Sequence, residues 1–208
     1  MKSLLIKPAI LICSIAFLNS CSLKDKNVLI DENFDNNELR WIEEETQYHS
    51  LELKNGKYHI HAKDTIRQTS SAPYNRTYLY NLKENFSVTF KIDLLGRDID
   101  SHSRAGIMLT CASMDYRIYI TNKSEIVVSE ELYADRKEII LLSKFTDNDI
   151  TNSPQEIKVF ISGYKGNIIY NKREIGEFEL KSKALDGIRI FTSPRTSIDV
   201  YNIKVQNI

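Results

Sequence analysis

Carboxylates, four histidines and a few cysteines are the groups in this chain that could do chemistry. Glycoside hydrolysis needs two carboxylates held about 5–10 Å apart across the sugar bond. Glu43, Glu44 and Glu45 form a run that reads as a solvated turn. Glu130 and Glu131 lie near Asp135 and Glu138, at spacings that do not align a pair on one face of one strand. A catalytic pair would therefore have to be gathered from separate strands. His59 and His61 stand at i and i+2, so on a strand both rings project to one side. That is half a metal site, which His49 or His102 could complete. Tyr58, Ile60 and Ala62 make the opposite side apolar, so the same spacing also fits a plain solvent face. Cys111 sits in the strand-like run 106–112 with no base near it in sequence. It reads as a small buried hydrophobe rather than a nucleophile.

Short strands separated by polar turns must position these groups. Asn55-Gly56 marks a hairpin, because both central positions of a type I′ turn need positive φ. In Asn85–Leu94 the residues Phe86, Val88, Phe90, Ile92 and Leu94 share one face, and Ser87, Thr89, Lys91 and Asp93 the other. Ile107, Leu109 and Cys111 repeat the pattern, as do Tyr116, Ile118 and Ile120, then Ile126 and Val128, and later Ile157, Val159 and Ile161. Residues 129–142 read as a hairpin with an elaborated loop. Residues 187–191 and 197–206 close the chain. Many strands at roughly ten-residue spacing predict an all-β fold, a two-sheet antiparallel sandwich.

The same alternation predicts a binding face. With Tyr116, Ile118 and Ile120 inward, Arg117, Tyr119 and Thr121 point outward. Arg104, Met108 and Thr110 are expected on the neighbouring strand, and Lys91 and Asp93 on the next. Such a surface offers a ring and fixed donors, which sugar recognition needs. Bulk composition bears on nucleic acid as a partner and on the chain's organisation. Residues 1–20 begin with Lys2 and Lys7 around an apolar stretch and read as a secretory signal, too short and too broken to span a bilayer. Without them 188 of the 208 residues remain, enough for one domain with a sizeable core. Taking Lys2 and Lys7 from the 28 basic residues leaves 26 against 28 acidic ones, so no basic excess points to nucleic acid.

Leu18-Asn19-Ser20-Cys21 resembles a lipobox. The resemblance implies cleavage before Cys21 and a diacylglycerol thioether on it. Residues 21–27 then form a lipidated tether and residues 28–208 the domain. The Lys24-Asp25 pair behind the cysteine resembles a surface-export signal and equally fits a plain linker. Ser22 in place of an aspartate implies outer-membrane sorting, facing the periplasm or the cell exterior. Cys13 leaves with the signal, so Cys111 has no intrachain disulfide partner.

The order of the later segments resembles concanavalin A-like jelly rolls. The segments are Ile30–Asp35 followed by Trp41, Leu53–Ile60, Phe86–Ile92, Arg104–Leu109, Asp115–Ile120, Glu156–Asn171 and Ile198–Val205. Laminin G-like and keto-disaccharide-hydrolase-like domains of exported bacterial proteins are similar. The resemblance implies a jelly roll with one concave face, here carrying Arg104, Arg117, Tyr119, Met108, Thr110 and Asp93. It also implies a structural calcium ion, for which Glu32, Asp35 and Asp199 are candidates, hard oxygen donors on the first and last strands. The glucanase branch carries Glu-x-Asp-x-x-Glu on one strand, and this chain lacks it. The expectation is a membrane-anchored, non-catalytic protein binding a glycan or an envelope protein. The alternatives are a glycan hydrolase or lyase with carboxylates from separate strands, and a structural subunit of a surface complex.

Overall fold

The computed structural model describes residues 25–74, 81–95, 103–146, 153–182 and 185–208. The signal segment, Cys21 and His102 lie outside the described residues. Among the described residues no helix is long and apolar enough to cross a membrane.

Two antiparallel sheets face each other. The first holds β1 (Val28–Glu32), β2 (Glu44–Glu45), β3 (His49–Leu53), β4 (Tyr58–Ala62), β6 (Asn85–Leu95), β11 (Gln155–Ser162), β12 (Lys165–Tyr170), β13 (Arg173–Glu179) and β15 (Ser197–Asn207). Its order is β13-β12-β11-β6-β15-β4-β3-β2, with β1 also paired to β15. The second sheet holds β5 (Thr69–Ser71), β7 (Arg104–Thr110), β8 (Met114–Thr121), β9 (Glu125–Leu132), β10 (Glu138–Phe145) and β14 (Gly187–Thr192), in the order β10-β9-β8-β7-β14-β5. The fold is the expected all-β, concanavalin A-like jelly-roll sandwich.

The core forms where the alternation predicts it. Phe90, Ile92, Ile107, Leu109, Tyr116, Ile118, Ile126, Val159 and Ile198 are fully buried between the sheets. At one end Phe34, Trp41 and Tyr58 pack with ring centroids 5.4–5.7 Å apart. Such pairs add about 0.5–1.5 kcal/mol each beyond area burial. Asn55 and Gly56 take φ of 54° and 67°, the mirror-image turn their pairing signalled, closing β3 onto β4. Residues 129–142 form the β9–β10 hairpin. Asn171 and Lys172, at φ 45° and 70°, close β12 onto β13 without a glycine to announce them.

The chain changes sheet between β6 and β7, and this corrects the expected strand neighbours. β6 lies in the nine-stranded sheet between β11 and β15, whereas β7 and β8 are central in the six-stranded one. Lys91 and Asp93 therefore do not share a face with Arg104 and Arg117. Alternation assigns each side chain to core or exterior, but it carries no information on which exterior.

Candidate ligand-binding site

The outward face of the six-stranded sheet is assembled by register. Arg104 pairs with Thr121, Gly106 with Tyr119, Met108 with Arg117 and Thr110 with Asp115. On the other side of β7, Arg189 stands opposite Met108 and Phe191 opposite Gly106. Five expected residues, Arg104, Met108, Thr110, Arg117 and Tyr119, are thus brought together on one face. Asp93, the sixth, is on the other sheet.

Three of the five are not open to a ligand. Met108, Tyr119, Val127 and Phe191 form a second apolar cluster outside the main core, each at most 4% exposed. Gly106 lets this happen. With no side chain of its own, it lies between Tyr119 and Phe191, whose rings meet edge to face with centroids 5.9 Å apart. Arg117 is buried over the Phe191 ring and paired with Glu131 at 2.5 Å. The face carries a paved ridge rather than a row of free polar groups.

Glu138 at the start of β10 organises the part beside the ridge. Its carboxylate accepts from Arg104 Nη1 at 2.8 Å, from Ser129 Oγ at 2.6 Å and from Tyr119 Oη at 3.2 Å. Burial alone would raise the Glu138 pKa. The Ser129 hydroxyl and the Arg104 guanidinium outweigh it and hold the group below its ordinary value. Tyr119 is pushed up, first by burial and then by the Glu138 charge, so it remains a neutral donor at physiological pH. Glu138 is therefore an ionised anchor and not a general acid.

Next to this network a depression of about 540 Å³ opens, with Arg104, Thr121, Lys123 and Ser143 around an aliphatic floor of Val127 and Ile140. Ser193 and Pro194 close its end. Arg104 bonds Glu138 through one nitrogen and lies over the Tyr119 ring at 5.4 Å, with its guanidinium at the border of the depression. Ser143 Oγ donates to Glu125. Ile140 is 53% exposed, an apolar contact offered to solvent. Sequence reasoning missed Glu138, Ser129, Lys123, Val127, Ile140 and Ser143. Phe191 was recoverable, since Ile188 and Ile190 inward leave Arg189 and Phe191 outward. The β10 residues were not, because their strand shows a bulge between Ile140 and Leu142 that breaks the period.

The remaining candidates fall elsewhere. Asp199 on β15 accepts from Lys57 Nζ at 2.8 Å and contacts His59 Nδ1 at 2.9 Å. Glu32 is buried and accepts the Phe34 N–H at 2.9 Å, while Asp35 binds the Asn33 amide at 2.7 Å. Among the described residues no three His, Cys, Asp or Glu side chains are placed to hold a metal ion. Glu32, Asp35 and Asp199, the candidates for the calcium ion the resemblance implied, are engaged separately, each with its own partners. His59 and His61 share the outer face of β4 as their spacing required. They bind Asp199 and, at 2.5 Å, Ser197, and His49 turns to Glu44 at 2.7 Å, so no histidine site forms among the described residues. Cys111 is buried, and burial pushes its thiol up to about 11.

No protein-family profile matches the chain, and no curated protein matches it in sequence. Solved structures match its fold. A Bacillus subtilis protein of unknown function with a galectin-like fold matches at TM-score 0.63 and 7% identity, over 87% of this chain and 96% of that one. The carbohydrate-binding module CBM66 of Bacillus subtilis matches at TM-score 0.51 and 12% identity, over 80% and 91%. The GH43 protein BlXynB of Bacillus licheniformis matches at TM-score 0.61 and 14% identity over 88% of this chain, which spans 40% of that protein's length.

Proposed function

We propose that this chain is an exported lipoprotein that binds a glycan, or another envelope component, in the depression beside β10. One observation carries the reading: Arg104, Lys123 and Ser143 surround an open floor of Val127 and Ile140 on one face of a rigid sheet. Binding sites of this kind combine apolar contact with a few polar groups. A carbohydrate-binding module and a glycoside-hydrolase-family protein among the fold neighbours are consistent with it, although likeness of fold does not carry function. The lipobox-like Leu18–Cys21 supports an anchor in the outer membrane. On this face Glu138 is engaged by Arg104, Glu131 by Arg117 and Glu125 by the Ser143 hydroxyl, which supports binding without catalysis.

The test is a glycan-array screen of the detergent-solubilised full chain, with Lys123→Ala/Ile140→Asp as the control. Saturable binding lost in the control is expected. Binding that survives the control sinks this location. In cells, Cys21→Ala is expected to move the protein from the membrane to the soluble fraction, and continued membrane association would remove the anchor.

One observation favours a hydrolytic reading. Asp93 and Asp199 stand opposite each other on β6 and β15. Burial and the neighbouring Asp199 charge raise Asp93, while Lys57 and His59 overcome burial to lower Asp199. Carboxylates pushed apart in this way suit acid and base roles. Sugar release by the wild type that is lost in both Asp93→Asn and Asp199→Asn would establish it.

A further inference from the structure

A second opening lies on the same face, at the far side of the ridge. Ile42, Ser70, Ala72, Pro73, Tyr74 and Arg189 line a depression of about 400 Å³. Three features mark it as built for a ligand. Tyr74 is 77% exposed and Ile42 46% exposed, so an aromatic and an aliphatic surface are both offered to solvent. Arg189 has no ion pair or hydrogen bond among the described residues, so its donors are available.

The third feature is that the walls are fixed. Tyr58, fully buried, donates its hydroxyl to the Ile42 carbonyl at 2.6 Å and shares a 2.6 Å bond with Ser71 Oγ. One phenol thus ties the 41–42 segment to β5. Trp41 bridges to Pro73, and the Tyr74 N–H donates to the Arg40 carbonyl at 3.1 Å. The platform is held by backbone bonds on both sides, which keeps its ordering cost low when a ligand arrives.

The two openings are separated by the ridge of Met108, Tyr119 and Phe191. The openings lie about three strand spacings apart across the sheet and about four residues apart along the strands, since Arg189 stands opposite Met108 and not Arg104, which is roughly 20 Å on the diagonal. We propose that the Ile42–Tyr74–Arg189 pocket is a second sugar subsite, and that the ligand is a linear glycan running diagonally over the sheet to fill both openings. One pyranose stacks on the Tyr74 ring while Arg189 donates to its hydroxyls, and a later unit occupies the depression at Arg104 and Ile140. A disaccharide is too short to reach both. This rests on the glycan reading above and adds the length of the ligand.

Trp41 is the sole tryptophan and touches this pocket's wall, so its emission reports on it locally. The full chain in detergent is titrated with xylo-, cello-, malto- and β-1,3-gluco-oligosaccharides of two to six units, by calorimetry and by Trp41 fluorescence. For the series that binds, the expected result is a hexasaccharide at least tenfold tighter than the disaccharide, with only the hexasaccharide shifting Trp41 emission. Tyr74→Ala and Arg189→Ala should remove that gain and leave disaccharide binding unchanged, and Tyr74→Phe should retain it. Ile140→Asp should weaken both. Equal affinity for short and long sugars, or no effect of Tyr74→Ala, overturns the subsite while the first depression stands. A Trp41 response that survives Ile140→Asp at full affinity overturns the spanning ligand. No binding by any series overturns the subsite and the glycan reading together.

Discussion

Gly106→Ala separates the packing argument from the ordinary expectation by sign. In an open strand, replacing glycine by alanine stabilises by about 0.4–1 kcal/mol, because the unfolded chain loses freedom. Here a Cβ would lie 2.0 Å from the Ile118 carbonyl oxygen and 2.6 Å from the Tyr119 Cα. Both are backbone atoms of the paired strand, so no side-chain rotation relieves the contact. Overpacking costs about 1–3 kcal/mol, with the upper end expected when backbone must move. The new methyl also enters the space where Tyr119 and Phe191 meet, putting at risk a pair worth about 0.5–1.5 kcal/mol. The net is a destabilisation of about 3 kcal/mol, which for a domain of this size lowers Tm by about 6–12 °C. Urea denaturation followed by far-ultraviolet circular dichroism measures it, and Trp41, in the other cluster, serves as an independent probe. An alanine variant as stable as the wild type, or more stable, refutes the claim that the ridge is built over this glycine.

Three other perturbations test separate parts. Tyr116→Phe removes the acceptor of the Lys181 and Ser182 N–H groups, bonded at 2.7 and 2.9 Å, and should cost about 1–2 kcal/mol in a urea titration, since both donors retain some access to water. Glu138→Gln should cost about 1.5 kcal/mol at pH 7, and the variant should also flatten the acid limb of the stability curve. Glu138 has a folded pKa below its unfolded value, so its contribution is full above the ordinary carboxylate pKa of 4.5 and is lost as pH falls through the folded value. Cys111, with its thiol raised to about 11 and its side chain buried, should react with a thiol reagent at pH 8 only as fast as the domain opens, and at once in denaturant.

The fold was legible because burial follows the two-residue period. Phe86 through Ile92 and Ile157 through Ile161 face inward as the pattern requires. The Asn55-Gly56 turn was legible because its chemistry is local. The site was legible only by half. Arg104, Met108, Thr110, Arg117 and Tyr119 do share a face, since β7 and β8 are consecutive and joined by a tight turn. Asp93 was misplaced because the crossing from β6 to β7 is a tertiary event. The burial of Arg117 and Tyr119 was invisible for a similar reason. It depends on Phe191, 72 residues beyond Tyr119, arriving on β14 to complete the ridge. Glu130 shows the limit most plainly. Among the four acids Glu130, Glu131, Asp135 and Glu138 it is the one turned fully inward, where Lys181 from beyond β13 reaches its carboxylate.

The geometry also connects the proposed anchor to the proposed site. β15 spans eleven residues and runs the length of the nine-stranded sheet, about 33 Å. At its far end the Asn207 N–H donates to the Asn27 carbonyl at 2.8 Å, so the tether enters the domain there. At its near end the short loop 193–196 joins it to β14, and Ser193 and Pro194 of that loop close the depression that Arg104 and Lys123 line. The tether and the depression therefore sit at opposite ends of one strand. A lipid on Cys21 would hold the Asn27 end at the bilayer and turn Lys123 and Pro194 away from it. With the proposed anchor, a site at the tether end would compete with headgroups for its ligand, whereas the proposed one would reach outward from the bilayer by about the length of this strand.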